Sequence, residues 1–378
     1  MTIPEHPTTS NGRYRITKIE LWPLDVPITD PFVVATGQRL VAENIFVRLT
    51  LKSGAVGYGE MAPFPEVGGE NRDSCLKAAQ QLAAVMLGKF ATHYQNIART
   101  IYEMAAAHPA ARCGLETALL DALCRELGIP LWALWGGADV RDRETDITIP
   151  ITTVERTISL GRGWHTKGFR LFKTKVGVDV AQDIRRIEAL RRALPDIAFI
   201  IDANQGFTEA QCRTFVKEIS PCGGATIVLL EQPVPREDLE GMAALRRDLG
   251  IPIAADESVR SLQDAKDIAR QEAADFINIK ITKCGLLNAI EIATFARSMG
   301  LRLMAGGMVE TRIAMGCSFT LALGLGGFEL LDLDTPLLLV TDPVEGGYSY
   351  TGPILQPCVG AGLDTQVVPS SDTIVLEA

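Results

Sequence analysis

The feature that most limits how this chain can fold is an alternation that begins near residue 143. Eight short β-rich runs, TDITIPI, FRLFKTK, AFIIDAN, TIVLLEQP, IPIAADES, FINIKIT, LRLMAGG and ELLDLD, are separated by longer charged stretches such as DVAQDIRRIEALRRAL and SLQDAKDIARQEAA. Strand and helix alternating eight times is the pattern of parallel βα units, and eight units suffice to close a barrel. A doubly wound open sheet would place a glycine-rich phosphate loop after its first strand, and none follows TDITIPI. The expected fold is therefore α/β, a (β/α)7–8 barrel of the TIM type over residues 143–344. Residues 1–142 read as an α+β capping domain, on which the tail 345–378 packs back.

In the cap, ITKIELWPLDVP and ENIFVRLTLKSGAVGYGE read as strands, the second a hairpin turning at Ser53-Gly54. Helices are expected over 71–107 and 112–127. In the latter Leu115, Leu119, Leu120, Leu123 and Leu127 recur at helical spacing before Gly128-Ile129-Pro130 stops the run.

Composition excludes several classes of function. The net charge of −9, without a lysine or arginine block, argues against nucleic acid or an anionic membrane as partner. The eight cysteines form no CxxC pair, and the four histidines (His6, His93, His108, His165) do not cluster. Reduced thiols are expected, not a disulfide or zinc framework. The N-terminal MTIPEHPTTSNGRYRITK lacks the apolar core of a signal peptide, and no apolar run reaches membrane length, so the chain reads as cytoplasmic.

The functional signal is where the barrel runs end. Lys175 ends the second, Asp202 the third, Glu231 the fourth, Asp256 the fifth and Lys280 the sixth. Gly306-Gly307 ends the seventh, and Asp332 and Asp334 the eighth. Successive ends lie 24 to 29 residues apart, one βα unit per step, which places every charge at the C-terminal mouth where barrel active sites form. Alternation agrees: Asn278 and Lys280 share the inward face of their strand, as do Asp202 with Asn204 and Asp332 with Asp334. Isolated charges at strand ends are usually solvated loop residues; matching charges on most of eight strands are not explained that way.

Three converging carboxylates, Asp202, Glu231 and Asp256, call for a cation in a poorly solvated mouth, and oxygen-only ligands select magnesium. The competing reading is salt bridging to nearby lysines. Lys175 and Lys280, on strands two and six, should face each other across the mouth as two bases, with the metal to one side. In GFRLFKTKVG (168–177), Lys173 shares a face with Lys175 with no acid between them. Its expected role is to depress the basicity of Lys175 and to touch a substrate carboxylate.

KTK (173–175), DANQG (202–206), EQP (231–233), ADES (255–258) and NIKITK (278–283) together resemble the enolase superfamily, and within it the muconate-lactonizing-enzyme subgroup. The resemblance spans essentially the whole chain. Asp332-Leu333-Asp334 looks like the DxD pair of dipeptide epimerases, including the L-Ala-D/L-Glu epimerases. The resemblance implies that this pair holds the free ammonium of a dipeptide, and that GGMVET (306–311) lines the peptide through Gly307, Met308 and Val309. Glu310 would either steady Lys280 or serve a structural hydrogen-bonding role.

Two departures stand out. Leu286 replaces a glycine usual in the family. In the segment that the resemblance makes the specificity loop of the cap, PFVVATGQRLVAEN (31–44), Gly37 occupies the position where glutamate-selective members carry arginine, with Arg39 two residues later. The small, apolar run through Thr36 favours an uncharged second residue, whereas a two-residue shift would bring Arg39 to the substrate.

The resemblance implies an isomerase with one Mg2+ per subunit, a homo-oligomer, acting on L-Ala-L-Xaa-type dipeptides. It would invert the Cα of the C-terminal residue by two-base 1,1-proton transfer through an enediolate. N-acylamino-acid racemase, o-succinylbenzoate synthase, cycloisomerase and amino-acid dehydratase activities share the scaffold and form the alternative. A non-catalytic metal- or peptide-binding barrel is a third reading, which leaves Lys280 without a purpose.

Overall fold

The computed structural model describes residues 12–220 and 226–378. The polar N-terminal stretch up to residue 11 and Cys222 lie outside the described residues. The other seven cysteines are free thiols, as expected. Among the described residues no helix is long and apolar enough to cross a membrane.

The cap opens with three antiparallel strands, β1 (Ile16–Val34), β2 (Gly37–Leu51) and β3 (Val56–Met61), and the Ser53-Gly54 turn falls between the last two as read. The segment 31–44 is not a loop. It is the far end of the β1–β2 hairpin, paired from Val34–Gly37 through Phe32–Arg39, with Ala35 and Thr36 at its tip. Phe32 and Val34 alternate onto one face of the ribbon, and with Thr36 at its tip they line the cavity over the barrel.

The single helix expected over 71–107 is two, α1 (Arg72–Met86) and α2 (Tyr94–Ala105). Between them the chain leaves helical geometry at Leu87 (φ −55, ψ 139), and Gly88 follows at φ +75. Helix α3 (Pro109–Leu127) starts three residues earlier than expected, with proline in its first turn, where no backbone donor is needed. It lies flat on β3 because both surfaces are small. A Cβ on Gly57 would overlap Ala118 O, and one on Gly59 would overlap Gly114 O.

The barrel contains the eight expected strands: β4 (Ile147–Ile149), β5 (Leu171–Lys175), β6 (Ala198–Asp202), β7 (Thr226–Glu231), β8 (Ile253–Ala255), β9 (Phe276–Ile279), β10 (Arg302–Ala305) and β11 (Phe328–Leu331). They form one parallel sheet in sequence order. Among the described residues the longer helices that cover it are α4 (Val154–Thr166), α5 (Val180–Ala193), α6 (Glu209–Ile219), α7 (Leu239–Leu249), α8 (Leu262–Gln271), α9 (Leu286–Ser298) and α10 (Arg312–Leu325). All but α9 begin on a Ser, Thr or Asp whose side chain accepts a first-turn N–H. Helix α9 begins at Gly285, and Leu286 is wholly buried there. After β11 only a 3-10 turn, Thr335–Leu338, follows.

The seam between the first and last strands is closed partly by side chains. Asp146 N–H donates to Leu331 O (3.1 Å), Thr145 bridges Leu331 O and Leu333 N, and Thr148 N–H donates to Asp334 Oδ2 (2.6 Å). The tail returns to both halves of the molecule. Strand β12 (Ile374–Glu377) pairs with β1, while Ile354–Gln356 pairs with the short strand Arg143–Glu144.

Inward-facing positions step by two and stack in layers. The lowest is an apolar plug of Ile200, Leu229, Ala254, Phe276 and Met304. Two residues further along the same strands lie Asp202, Glu231, Asp256, Asn278 and Gly306. Ile277 and Ile279 face the other way, into the main core under the helices, as the alternation of that strand required.

Candidate active site and metal centre

The charged layer is buried: Asp202, Glu231 and Lys173 are fully enclosed, and Asp256, Lys175 and Lys280 are at most 5% exposed. Carboxylate oxygens of Asp202, Glu231 and Asp256 all lie within 4.8 Å of one another. Lys175 Nζ pairs with Asp202 Oδ2 at 2.6 Å, and Lys280 Nζ with Asp256 Oδ2 at 2.7 Å. Both lysines line one cavity over the barrel mouth. Its other walls are Phe32, Val34 and Thr36 of the hairpin, Phe64 and Val67 of the cap, and Thr148, Asn204, Asp256, Glu257, Gly307, Met308, Val309, Asp332 and Thr335 of the barrel.

Lys173 departs from its expected role. Its ammonium contacts Asp332 Oδ2 (2.6 Å), Glu231 (2.9 and 3.0 Å) and Asp202 Oδ2 (3.1 Å), and it is absent from the cavity wall. Asp202 Oδ2 bridges Lys173 and Lys175, so an acid does lie between the two ammonium groups, supplied by the neighbouring strand. Burial alone would lower the Lys173 pKa, but Asp332, Glu231 and Asp202 outweigh it and hold the group well above the ordinary lysine value. Lys173 is a fixed counter-charge at the base of the site.

The acids are driven apart in the same way. Burial raises Asp202, yet Lys175 and Lys173 pull it down to about 2, and Lys280 and Lys283 hold Asp256 well below its usual range. Burial, then the charges of Asp202 and Asp256, push Glu231 up to about 8. Its Oε1 accepts from Asn278 Nδ2 (2.8 Å), whereas Oε2 lies near Lys173 without hydrogen-bond alignment. A wholly buried, poorly satisfied carboxylate oxygen facing two further carboxylates, in an all-oxygen set, fits a hard divalent cation. Three non-glycine residues on the adjoining loops, Asn204 (φ 41), Gln205 (φ 71) and Gln232 (φ 36), are held in the left-handed region. Gln232 converts that strain into placement: its Oε1 accepts from the N–H groups of Asp256 and Ser258, both at 3.0 Å.

The remaining expected residues distribute unevenly. Asp332 lines the cavity, while Asp334 lies behind it, fully buried, with Oδ2 taken by Thr148 N–H. Burial and the Asp332 charge push Asp334 up to about 7. Gly306 is glycine because a Cβ there would come within 2.7 Å of Asn278 Oδ1 and 3.1 Å of Asp332 Oδ2. Glu310 does not bond Lys280; its Oε1 accepts from the Thr282 hydroxyl at 2.6 Å, two residues further along. Thr36 reaches the cavity. Arg39 does not: it pairs with Glu43 (3.1 Å) and stacks 4.5 Å over the Phe64 ring in an adjoining recess. Asn204 donates to Glu257 Oε1 at 3.2 Å.

Four residues in or behind the candidate site escaped the sequence reading. Lys283, one helical turn beyond Lys280, grips Asp256 through Oδ1 and the backbone oxygen. Glu257 lines the cavity and is pushed up to about 7 by burial and by Asp256. Asp146 joins Asp332 and Asp334 in a second buried carboxylate cluster, with neither of its oxygens hydrogen-bonded. Arg186 on α5 braces the strand ends under the site, donating to Lys175 O (2.9 Å) and Pro150 O (2.7 Å). The spacing of NIKITK could have exposed Lys283; the others follow from tertiary approach.

Comparison with known proteins agrees with this architecture. Residues 18–136 match the mandelate racemase/muconate lactonizing enzyme N-terminal domain, and residues 153–366 match the enolase C-terminal domain-like family. The chain is 39% identical to an L-Ala-D/L-amino acid epimerase of Populus trichocarpa, over 90% of this chain and 82% of that one. It is 39% identical to an aromatic dipeptide epimerase of Herpetosiphon aurantiacus, over 90% of this chain and 95% of the relative. A Cytophaga hutchinsonii dipeptide epimerase, solved with Mg and D-Ala-L-Val, superposes with a TM-score of 0.91 at 29% identity, covering 96% and 99% of the two chains. With both halves matched and the charged layer of the barrel in place, the chain belongs to the mandelate racemase/muconate lactonizing enzyme family of the enolase superfamily.

Proposed function

We propose that this isomerase epimerises dipeptides at the Cα of the C-terminal residue, by two-base 1,1-proton transfer between Lys175 and Lys280. The observation that carries the reading is that both lysines line one cavity while each is paired to a different acid of a single carboxylate trio. The similarity to epimerases supports the reaction class.

Asp202, Glu231 and Asp256 would hold one Mg2+, which when bound neutralises charge on the substrate carboxylate. One lysine, neutral, accepts the Cα proton on its Nζ, and the electron pair left behind spreads into the adjacent carboxylate. The opposite lysine, as ammonium, delivers a proton to the other face. Each turnover leaves the two lysines with exchanged protonation, so the protons must be reset through solvent. Asp332, facing the cavity, would take the substrate ammonium, with Asp334 fixed behind it by Thr148. The side wall of Phe32, Val34, Phe64, Val67, Met308 and Val309 is uncharged. With Arg39 engaged by Glu43 and Phe64, this supports an uncharged second residue, of the L-Ala-L-Xaa type.

Incubation with Mg2+ in heavy water and pooled L-Ala-L-Xaa dipeptides should add one mass unit to a subset, with a matching change in optical rotation. Asp332→Asn should abolish most of that exchange. Exchange confined to N-acyl amino acids, insensitive to Asp332→Asn, would refute the dipeptide reading in favour of a racemase.

A further inference from the structure

Glu60 lies on β3 of the cap, yet its carboxylate serves the barrel. It is fully enclosed and absent from the cavity wall. It accepts from Thr311 N–H (3.0 and 3.1 Å to its two oxygens), the Thr311 hydroxyl (2.7 Å), Ala314 N–H (3.1 Å) and Asn44 Nδ2 (2.6 Å). Thr311 is the N-cap of α10 and Ala314 lies in its first turn. A helix start leaves N–H groups unpaired and attracts an anion; here the anion comes from the other half of the molecule. Asn44, on β2, donates from the same amide nitrogen to Val309 O at 3.0 Å.

Gly307, Met308 and Val309, immediately before this junction, form one wall of the reaction cavity. The far side of the same segment is tied to the catalytic strands. Glu310 accepts from Thr282, two residues past Lys280, and exchanges two hydrogen bonds with Thr335, the residue after Asp334 (3.2 and 3.0 Å). The segment is thus stretched between the cap on one side and both chemical ends of the site on the other.

We infer that Glu60, with Asn44, is a positioning residue that sets where the 307–309 wall stands relative to the two lysines, so that these two cap residues govern substrate affinity without lining the cavity. Thr311 N–H, Ala314 N–H and Asn44 Nδ2 can only donate, so both positions of the Glu60 side chain must offer an oxygen. Glutamine would turn an NH2 toward at least one of them. This rests on the proposed function only in taking 307–309 as substrate-facing.

The test compares wild type with Glu60→Gln, using steady-state kinetics on a dipeptide that the wild type exchanges and amide hydrogen exchange read by mass spectrometry. KM should rise about tenfold, the scale of one lost buried hydrogen bond to a charged group, while kcat on the folded fraction stays within about twofold, because the lysines are not on this segment. Amide exchange should accelerate over residues 306–314 and stay unchanged over 171–176 and 276–280. A fall in kcat or folded fraction at constant KM, or acceleration spread across the whole barrel, would make Glu60 a structural brace and overturn the inference. Should Glu60→Gln not fold, Asn44→Ser removes only the tie to Val309 O and the contact to Glu60. It should raise KM at constant kcat, and an unaltered KM overturns the claim. If the wild type exchanges no dipeptide, the functional reading fails separately. The amide data then decide, a local acceleration upholding the clamp and its absence refuting it.

Discussion

Asp146→Asn should make this protein more stable, and increasingly so as pH rises. The side chain is fully buried, neither carboxylate oxygen is hydrogen-bonded, and Asp332 and Asp334 supply two further carboxylates within 4.8 Å. The neighbouring ammonium of Lys173 is already shared among Asp332, Glu231 and Asp202. Burial, then Asp332 and Asp334, hold the Asp146 pKa well above its ordinary value. The sign follows by linkage. An acid whose folded pKa is raised contributes favourably below its unfolded pKa, and that contribution is lost as pH rises toward the folded pKa. Keeping a buried carboxyl neutral at pH 7 costs at most the gap between pH 7 and the unfolded carboxyl value, about three pH units. At about 1.4 kcal/mol per unit, the ceiling on the cost is about 4 kcal/mol. Asparagine is neutral at every pH and keeps a donor toward Asp332 and Asp334, so the variant escapes that cost. Urea unfolding of both proteins in EDTA should show little difference near pH 4 and a gap widening toward about 4 kcal/mol by pH 7. Groups that do not interact with Asp146 cancel in the comparison, while Asp332 and Asp334, within 4.8 Å of it, add to the same pH-dependent gap. A variant that is less stable at pH 7, or a difference independent of pH, would show that Asp146 is ionised and balanced in the fold.

Other outcomes follow from the same geometry. Lys175→Ala and Lys280→Ala should each retain Cα deuterium exchange from one epimer of the substrate only; exchange of both epimers by either variant would rule out opposed bases. Mg2+ at a hundredfold excess over its Kd should raise unfolding free energy by about 2.7 kcal/mol. That gain should vanish in Asp202→Ala or Asp256→Ala, and its survival would place the ion elsewhere. Arg186→Met strands Lys175 O, Pro150 O and the Asp183 carboxylate inside the protein. It should cost about 3–5 kcal/mol in urea unfolding, against no measurable loss if water replaces the guanidinium. Gly59→Ala drives a methyl into the α3 backbone and should cost about 3 kcal/mol. Gly163→Ala on α4, where a Cβ meets nothing within 4 Å, should instead stabilise by about 1 kcal/mol.

The barrel was legible because its information is local and repeats. Most βα units restate the same apolar run, terminal charge and capped helix, so the period of about 26 residues delivers strand order, inward face and carboxylate trio together. What stayed hidden is whatever two distant segments decide jointly. KTK looks like a repulsive pair only while Asp202 is 27 residues away; in the sheet Lys175 and Asp202 are register partners, and the acid returns between the lysines. Asp332 and Asp334 do alternate onto one face, yet the closing seam takes Asp334 for the Thr148 N–H and leaves Asp332 alone at the cavity. The same seam brings in Asp146, which opens its run instead of ending it and so carried no positional signal. The cap obeys the same division. Its strands follow from alternation, but the length of the β1–β2 ribbon depends on its docking over the mouth, and the break between α1 and α2 depends on the backbone torsions of Leu87 and Gly88. Glu60 marks the limit of local reading: inside GYGE it is an ordinary strand residue, and only the start of α10, some 250 positions later, gives its carboxylate something to hold.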